Sequence, residues 1–292
     1  ENPPLKISPS TGLKGITYKM PIASAQVKSS ILLAGLNAEG KTQVQEKYPT
    51  RDHTERMMKT FEANISSSKG IVEIERSDLK TPGQIEVPGD FSSSAFFIGA
   101  CLISENSEIK IKNVGINKTR KAFLDCLLDM NANIDLTNIR QLGNEEVADL
   151  VIKSSDLLPA KIMEDIVPNL IDELPLFFLI ASLIEGESEF NGLSELKHKE
   201  SDRLSIMINN LQKLDVEVHL NKDSLKIIGK KDRIFSDGVF DSHGDHRIAM
   251  TMLVAGLRSS EGLIVNNVDC INTSFPEFID QAKMLGFNFK NG

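Results

Sequence analysis

The chain has 292 residues, of which 40% are hydrophobic and 25% charged, and this balance predicts a globular protein with one large domain or two ordinary ones. A formal net charge of −8 argues against a general nucleic-acid binder, so any anion site must be a local pocket that works against the overall field. There is no apolar run of about 18 residues and no basic-then-apolar leader, so we expect neither a membrane span nor a secretory signal, with the cytoplasm as the default compartment.

The sequence begins at Glu1 with "ENPPLKISPSTGLKGITYKMP", a stretch typical of strands and turns that are already under way, and it lacks an initiating Met. We therefore expect the chain to be a fragment of a longer protein.

Four segments then follow one pattern: a polar cap, an apolar helix, a Gly or polar turn, a strand, a polar-charged cluster and a second helix. They begin at "SAQVKSSILLAGL", "SSSAFFIGACL", "IDELPLFFLIASL" and "GDHRIAMTMLVAGL". Their matching alanines, Ala34, Ala100, Ala181 and Ala255, lie 66, 81 and 74 residues apart, which is too long for a solenoid repeat. Stretches such as "GIVEIE" and "SLKIIG" predict strands that close each unit. The predicted fold class is α+β (α/β), built from repeated β-α-β-α-β-β units.

In such a unit both helices begin with small polar or charged residues, so the caps of successive copies can converge on one side of the molecule. The predicted caps are Ser24-Ala25-Gln26, Asp90 with Ser92 to Ser94, Asp172, and Asp245-His246-Arg247. The amino terminus of a helix offers unpaired N–H groups and partial positive charge, which suit phosphate and carboxylate ligands. Several such ends predict an anion pocket within an acidic protein.

Each cluster also has an ordinary structural interpretation. The run from Lys199 to Arg203 is also typical of a solvated first helical turn, with Ser201 or Asp202 as its cap. Asp172 is also typical of an ordinary helix cap. The segment from Arg51 to Glu55 is typical of a surface turn with a capping box. The serines after Asp90 favour capping and tight packing. By contrast, Arg247 in a first helical turn opposes the macrodipole, which favours a functional role.

The three cysteines, Cys101, Cys126 and Cys270, lie in apolar surroundings without C-x-x-C or His spacing. This pattern predicts buried thiols in a reducing compartment and gives no sign of a metal site.

Seven motifs occur in one order and spacing: "PIASAQVKSSILLAGL", "TRDHTERMMKTF", "VPGDFSSSAFF", "LIDELP", "KHKESDR", "GDHRIAM" and "SFPEF". Together they closely resemble the 5-enolpyruvylshikimate-3-phosphate synthase family of enolpyruvyl transferases, over nearly the whole chain. "SAQ", "KESDR" and "GDHR" are that family's substrate motifs, whereas the related enolpyruvyl transferase of cell-wall synthesis lacks the "KESDR" run.

The resemblance implies the enolpyruvyl transferase fold, an inside-out α/β prism of six units in two domains, with the active site in the cleft between them. Four of the six units are expected here. Residues 1–79 are expected to be the last unit of the amino-terminal domain, and residues 80–292 the complete carboxy-terminal domain of three units. The family's amino-terminal Lys-Ser and Arg and its Asn-x-Gly loop have no counterpart, so about a third of the enzyme is expected to be absent and the chain alone to have little activity.

The reaction implied by the resemblance joins phosphoenolpyruvate to the 5-hydroxyl of shikimate 3-phosphate through a tetrahedral intermediate and then expels phosphate, without a metal or organic cofactor. It requires cations and amides for two phosphates and two carboxylates, a base for the hydroxyl proton and an acid for the methylene carbon. The resemblance implies that Lys199 contacts shikimate 3-phosphate near its 5-hydroxyl and that Glu200 carries the proton to the methylene carbon. Asp172 matches the family's acceptor of the hydroxyl proton.

The remaining substrate contacts implied by the resemblance are divided between the two substrates. Ser24, Ala25, Gln26, Thr50 and Arg51 match residues that bind shikimate 3-phosphate, with Asp172 and Lys199. Gln26, Arg203, His246 and Arg247 match residues that bind phosphoenolpyruvate. Ala25 replaces the serine of some members, and Thr273-Ser274 stands where some members carry a lysine before "FP", so a cation is missing there or supplied elsewhere.

Two other classes of function remain open at this point. Another enolpyruvyl transferase with a sugar-nucleotide acceptor would use the same fold, although that acceptor has no evident need for Gln26, Asp172 and Lys199 together. A non-catalytic truncated fragment is the second alternative. The expected partners are the two small-molecule substrates and the missing amino-terminal part of the same enzyme, with no nucleic acid and no membrane.

Overall fold

The computed structural model describes residues 4–9 and 12–290, which form two compact units. Unit 1 runs to Val87 and includes residues 142–145, and unit 2 comprises residues 88–141 and those from 146 onward. None of the helices in these described ranges is long and apolar enough to cross a membrane. The predicted mixture of helices and strands is confirmed.

The described residues of unit 1 form six strands and two helices. They are β1 (Leu13–Lys14), β2 (Thr17–Lys19), α1 (Ala25–Gly35), β3 (Ala38–Glu39), β4 (Lys41–Gln45), α2 (His53–Thr60), β5 (Ile65–Ser68) and β6 (Ile71–Glu75). The main sheet has the order β2-β4-β6-β5, and β1 pairs with β3 in parallel. Alternating side chains of β4 and β6, including Val44 and Val72, are buried against Leu32 of α1, as the period of a half-buried strand predicts.

The segment after β6 stays with unit 1 although it has no regular secondary structure. The amide of Ser77 donates to the carbonyl of Leu36 at 3.4 Å, and the amide of Lys80 donates to that of Phe61 at 2.9 Å. These contacts hold the chain against unit 1 beyond residue 79, so the division between the units lies at Val87 and Pro88.

Unit 2 contains nine strands and seven helices in the described part of the chain. They are α3 (Phe91–Ile103), β7 (Glu108–Gly115), α4 (Ala122–Asp129), β8 (Asn133–Leu142), β9 (Glu145–Lys153), β10 (Lys161–Ile162), α5 (Val167–Leu170), α6 (Leu174–Ser182), β11 (Gly186–Phe190), α7 (Arg203–Lys213), β12 (Glu217–Asn221), β13 (Ser224–Gly229), β14 (Gly238–Asp241), α8 (His246–Ala255), β15 (Leu263–Asn266) and α9 (Phe278–Met284). Three short 3₁₀ helices cover Leu193–His198, Gly256–Arg258 and Val268–Thr273.

The strands in the described part of unit 2 form three sheets, which contact helices α3, α6 and α8. Their strand orders are β7-β9-β8, β10-β11-β13-β12 and β14-β15. The third copy therefore has the four strands predicted for a unit. In the second copy the first strand is reduced to a bridge between Gly89 and Val114, and in the fourth copy the described residues give two strands instead of four.

Helices α3, α6 and α8 pack against one another in the core of unit 2. All nine residues of α6 are buried, which explains a sequence that is apolar on every face. Phe177 of α6 contacts Phe123 and Phe190 edge to face, with ring centroids 5.2 and 5.3 Å apart. Because these helices are fixed by burial, their amino termini provide rigid positions for functional side chains.

Most of the predicted helix caps are confirmed. The side chains of Ser24, Asp90, Asp202 and Asp245 accept backbone N–H bonds at the starts of α1, α3, α7 and α8. Asp172 was expected as a cap as well, but α6 begins after Glu173 and has no side-chain cap bond, because the Asp172 carboxylate is paired with arginines. This part of the prediction is wrong.

The predicted capping box between Arg51 and Glu55 is also wrong. Asp52 precedes α2 without a side-chain cap bond, and Glu55 is buried with one oxygen 2.7 Å from the ammonium of Lys28. The carboxylate therefore neutralises a buried cation and does not cap its own helix.

The prediction of buried thiols is confirmed for Cys101, whereas Cys126 and Cys270 are only partly buried. Burial raises the pKa of the Cys101 thiol to about 11 and that of the Cys126 thiol to about 12, so both are protonated near neutrality.

Gly229 closes β13 where the sheet approaches the end of α6, and it provides a test of this packing. A Cβ at this position would lie 2.1 Å from the carbonyl oxygen of Ile184 and 2.2 Å from that of Ala181. Since both are backbone atoms, we expect Gly229→Ala to lower the free energy of unfolding by about 1–3 kcal/mol or more in urea denaturation. Gly256→Ala is the matched control, because nothing lies within 4 Å of its Cβ position and its φ of −55° suits alanine. Equal stability of the two variants would contradict the packing described.

Candidate functional site

Three guanidinium groups surround the carboxylate of Asp172 in unit 2. Its Oδ2 lies 3.7 Å from Nη1 of Arg120 and 3.6 Å from Nη2 of Arg247, and its Oδ1 lies 3.6 Å from Nη1 of Arg203. The Asp172 side chain is 12% exposed. The structure therefore brings together three of the predicted site residues, Asp172, Arg203 and Arg247, and adds Arg120.

Arg203 is the most deeply buried cation of this group, with 1% of its surface exposed. Its Nε donates to Oδ2 of Asp245 at 2.8 Å, and its Nη2 donates to Glu200. Its Nη1 has no hydrogen-bond partner among the described residues. It lies 3.6 Å from Oδ1 of Asp172, so the guanidinium adds its positive charge to the group around that carboxylate.

Asp245 holds Arg203 in place from the start of α8, where its carboxylate also accepts the backbone N–H of Arg247 at 2.9 Å. Burial by itself would raise the pKa of Asp245, but the charge and hydrogen bond of Arg203 outweigh it, and the pKa lies below its usual range. Asp245 is thus an ionised partner for Arg203 at neutral pH.

Arg247 lies in the first turn of α8, where the helix macrodipole is unfavourable for a positive charge. Its contacts with other residues compensate for this position. Its Nη1 donates to the backbone carbonyl of Asp172 at 3.1 Å, and its Nε is buried without a hydrogen-bond partner in the described ranges. Burial, with the neighbouring charge of Arg247, lowers the pKa of His246. His246 is therefore neutral at neutral pH and able to give or accept a hydrogen bond.

A second buried group consists of Arg120, Glu173 and Ser92, none of which the sequence analysis assigned to catalysis. Nη1 of Arg120 lies 3.4 Å from Oε1 of Glu173, and Ser92 hydrogen bonds to both. Burial raises the pKa of Glu173, against the effect of Arg120. This favours a neutral carboxyl group at Glu173. The adjacent acids in "IDELP" were a signal for Glu173, whereas nothing local indicated Arg120.

Lys199 and Glu200 lie between a 3₁₀ helix and α7, and both are exposed. Glu200 pairs with Arg203, as the charged run suggested. Lys199 makes no hydrogen bond or ion pair with the described residues, and the cations beside Asp172 are arginines. Its ammonium extends into solvent and is available to a ligand.

The remaining predicted residues lie in unit 1. Ser24 caps α1, Ala25 and Gln26 form its first turn, and Gln26 is exposed. Thr50 is 4% exposed, and both its amide, at 3.2 Å, and its hydroxyl donate to Oε1 of Glu46. The direct phosphate contact predicted for Thr50 therefore competes with Glu46 for both of its donors.

Comparisons with known proteins show what the whole chain is similar to. A family model for EPSP synthase (3-phosphoshikimate 1-carboxyvinyltransferase) matches residues 1–282. A 3-phosphoshikimate 1-carboxyvinyltransferase of Alkaliphilus metalliredigens is 43% identical over 94% of this chain and 64% of its own length. One from Geotalea uraniireducens is 46% identical over 92% of this chain and 62% of its own length. The chain thus spans less than two thirds of these relatives.

Solved structures give the same result for the fold. The EPSP synthase of Acinetobacter baumannii superposes with a TM-score of 0.86 at 40% identity, over 95% of this chain and 64% of its own. The enolpyruvyl transferase NikO of Streptomyces tendae superposes with a TM-score of 0.76 at 15% identity, over 96% of this chain and 65% of its own, and shows the fold alone. The predicted enolpyruvyl transferase fold is confirmed. On the family match and these relatives, the chain belongs to the EPSP synthase (3-phosphoshikimate 1-carboxyvinyltransferase) family.

Proposed function

We propose that the protein transfers the enolpyruvyl group of phosphoenolpyruvate to the 5-hydroxyl of shikimate 3-phosphate and releases inorganic phosphate. The observation that carries this proposal is the convergence of Arg120, Arg203 and Arg247 on Asp172. Three guanidinium groups around one carboxylate can bind an anionic substrate and hold the carboxylate next to it. Addition of a hydroxyl to phosphoenolpyruvate requires both an anion site and a base beside it.

Unit 2 supplies the residues of the chemical step in this proposal. Asp172 accepts the proton of the 5-hydroxyl as its oxygen attacks C2 of phosphoenolpyruvate, and Glu200 delivers a proton to the methylene carbon, with Lys199 beside it. Arg203 and Arg247 bind phosphoenolpyruvate, with His246 as a neutral hydrogen-bonding neighbour. Phosphate then leaves C2 while Glu200, ionised after its proton transfer, takes a proton back from the methyl carbon, and this restores the double bond.

Unit 1 supplies contacts to the phosphate of shikimate 3-phosphate. Ser24, Ala25 and Gln26 offer the first turn of α1, whose N–H groups and partial positive charge suit a phosphate. Arg51 can bind phosphate through two N–H groups. Since Glu46 takes both donors of Thr50, we assign Thr50 mainly to the support of this segment.

Arg247 is the best position at which to test anion binding. Arg203→Ala would leave Asp245 buried without its cation, at a cost of about 3–5 kcal/mol, so a loss of function there would be ambiguous. Arg247→Ala removes a guanidinium that is 13% exposed. We expect it to weaken phosphoenolpyruvate by about 2 kcal/mol, a roughly 30-fold increase in KM, because a charge-assisted contact to the anion is lost.

The protein for this test is expressed from its complete reading frame, and KM is measured for both substrates. The KM for shikimate 3-phosphate should change much less, and Lys226→Ala, which removes an exposed cation of β13, should change neither. Equal losses for both substrates would show that Arg247 maintains the shape of the pocket and does not hold phosphoenolpyruvate.

Asp172→Asn separates chemistry from binding. Asparagine keeps the shape of the side chain but cannot accept the hydroxyl proton. We therefore expect kcat to fall by on the order of 10² to 10⁴, with the KM for shikimate 3-phosphate within a few-fold of wild type. Steady-state kinetics and the melting temperature of the same preparation check this.

Asp125→Asn is the matched control, since Asp125 is a half-exposed acid of α4 that pairs with Lys121. It should leave kcat unchanged. An Asp172→Asn enzyme that turns over at the wild-type rate would remove Asp172 from the mechanism, and a lowered melting temperature with normal kcat would assign it a structural role only.

A further inference from the structure

Unit 1 buries one lysine, and the proposed mechanism makes no use of it. Lys28 lies on α1, one turn after the cap residue Ser24, and its amide donates to the Ser24 carbonyl at 3.0 Å. Only 1% of its surface is exposed. An ammonium group in such a position is strongly unfavourable unless all of its charge and its N–H donors are compensated. The contacts that compensate it therefore indicate what the lysine does.

All three N–H donors of the Lys28 ammonium have acceptors. Nζ lies 2.7 Å from Oε1 of Glu55 and 3.1 Å from Oε2 of Glu46, and it donates to the backbone carbonyl of Thr50 at 3.3 Å. Glu46 directly follows β4, Glu55 lies on α2, and Thr50 lies in the loop that joins them. One buried cation thus binds both ends and the middle of a single loop.

Glu46 makes further contacts with the loop between β4 and α2. Its Oε1 accepts the amide of Thr50 at 3.2 Å and also the Thr50 hydroxyl, while its own amide donates to the carbonyl of Gly70 at 2.8 Å. The backbone of Glu46 is therefore fixed to the turn between β5 and β6, and its carboxylate to Thr50. Charge alone would not require this geometry, since Glu55 is enough to neutralise Lys28.

We propose that Lys28 is a positioning residue that, with Glu46, fixes the Thr50–Arg51 segment relative to the first turn of α1 for contact with the phosphate of shikimate 3-phosphate. This inference rests on the proposed function. Lys28 itself is too deeply buried to touch a substrate. It acts by holding Arg51 and the capped turn from Ser24 to Gln26 in a fixed spacing, so that no ordering of the loop is needed when the phosphate binds.

Lys28→Met tests this proposal in the protein expressed from its complete reading frame. Methionine has nearly the length of lysine but neither its charge nor its N–H groups. We expect the KM for shikimate 3-phosphate to rise at least tenfold, whereas kcat and the KM for phosphoenolpyruvate change less than threefold. Hydrogen exchange of the Thr50 amide should accelerate at least tenfold, while that of Val44 and Val72 in the sheet stays the same.

Lys41→Met is the matched control, because Lys41 is also an ion-paired lysine of unit 1 but is 47% exposed, 3.0 Å from Glu73. It should change none of these quantities. Glu46→Gln covers the case in which Lys28→Met fails to fold. It weakens the connection through Glu46 that holds the Thr50 amide and hydroxyl, but it leaves Lys28 neutralised by Glu55 and bound to the Thr50 carbonyl. The fold is therefore kept, and a smaller rise in the same KM is expected.

These experiments distinguish failure of the positioning role of Lys28 from failure of the proposed reaction. Absence of turnover in wild type with both substrates would refute the proposed reaction, and the exchange rates would then decide on Lys28 by themselves. A folded variant with Thr50 exchange and KM for shikimate 3-phosphate within twofold of wild type would overturn the positioning role. So would faster exchange throughout β4 and β6 with equal changes in both KM values, which indicates a general loss of stability.

Discussion

The buried pair of Arg203 and Asp245 is the interaction on which the arrangement of unit 2 depends. Arg203 begins α7 and Asp245 caps α8, so the 2.8 Å bond between them joins the amino termini of two helices. A pair this deeply buried adds little stability over apolar residues, but removal of either partner leaves an uncompensated charge. It is therefore a specific constraint, and its effect is to hold the Nη1 group of Arg203 toward Asp172 at the start of α6.

The two units use the same physical solution. In each, a cation near the amino terminus of a helix is withdrawn from solvent and held by carboxylates from other elements: Arg203 by Asp245 and Glu200, and Lys28 by Glu46 and Glu55. Long, flexible basic side chains are costly to order, and ordering them before the substrate arrives removes that cost from binding. In unit 2 the ordered cation lies beside Asp172, whereas in unit 1 it is bound to the loop that contains Thr50.

The sequence predicted the parts of the fold that depend on local pattern. Apolar helices such as α6, alternating strands such as β6 and the caps Asp90, Asp202 and Asp245 follow from residue type and spacing. Two helix starts were predicted wrongly for one reason: the acidic side chains of Asp172 and Glu55 are used by cations distant in sequence. Competition of this kind cannot be seen in a local window.

In the candidate site too, residues in distinctive local motifs were predicted, whereas residues that depend on distant contacts were not. Motifs identified Asp172, Arg203 and Arg247, which lie together, because each stands in a distinctive charged run. Arg120 and Lys28 were not assigned a role, since one lies in an ordinary polar turn and the other within an apolar helix. Their importance depends on burial and on contacts across 53 and 18 residues of sequence, respectively, which only the folded chain provides.

The most direct test of the central claim is the reaction itself, with the protein expressed from its complete reading frame. Shikimate 3-phosphate and phosphoenolpyruvate are supplied together, inorganic phosphate is measured, and the organic product is identified by mass spectrometry. The account predicts one phosphate released for each enolpyruvyl ether formed, and none when either substrate is omitted. Phosphate release with a sugar-nucleotide acceptor in place of shikimate 3-phosphate, or no release with either acceptor, would contradict it.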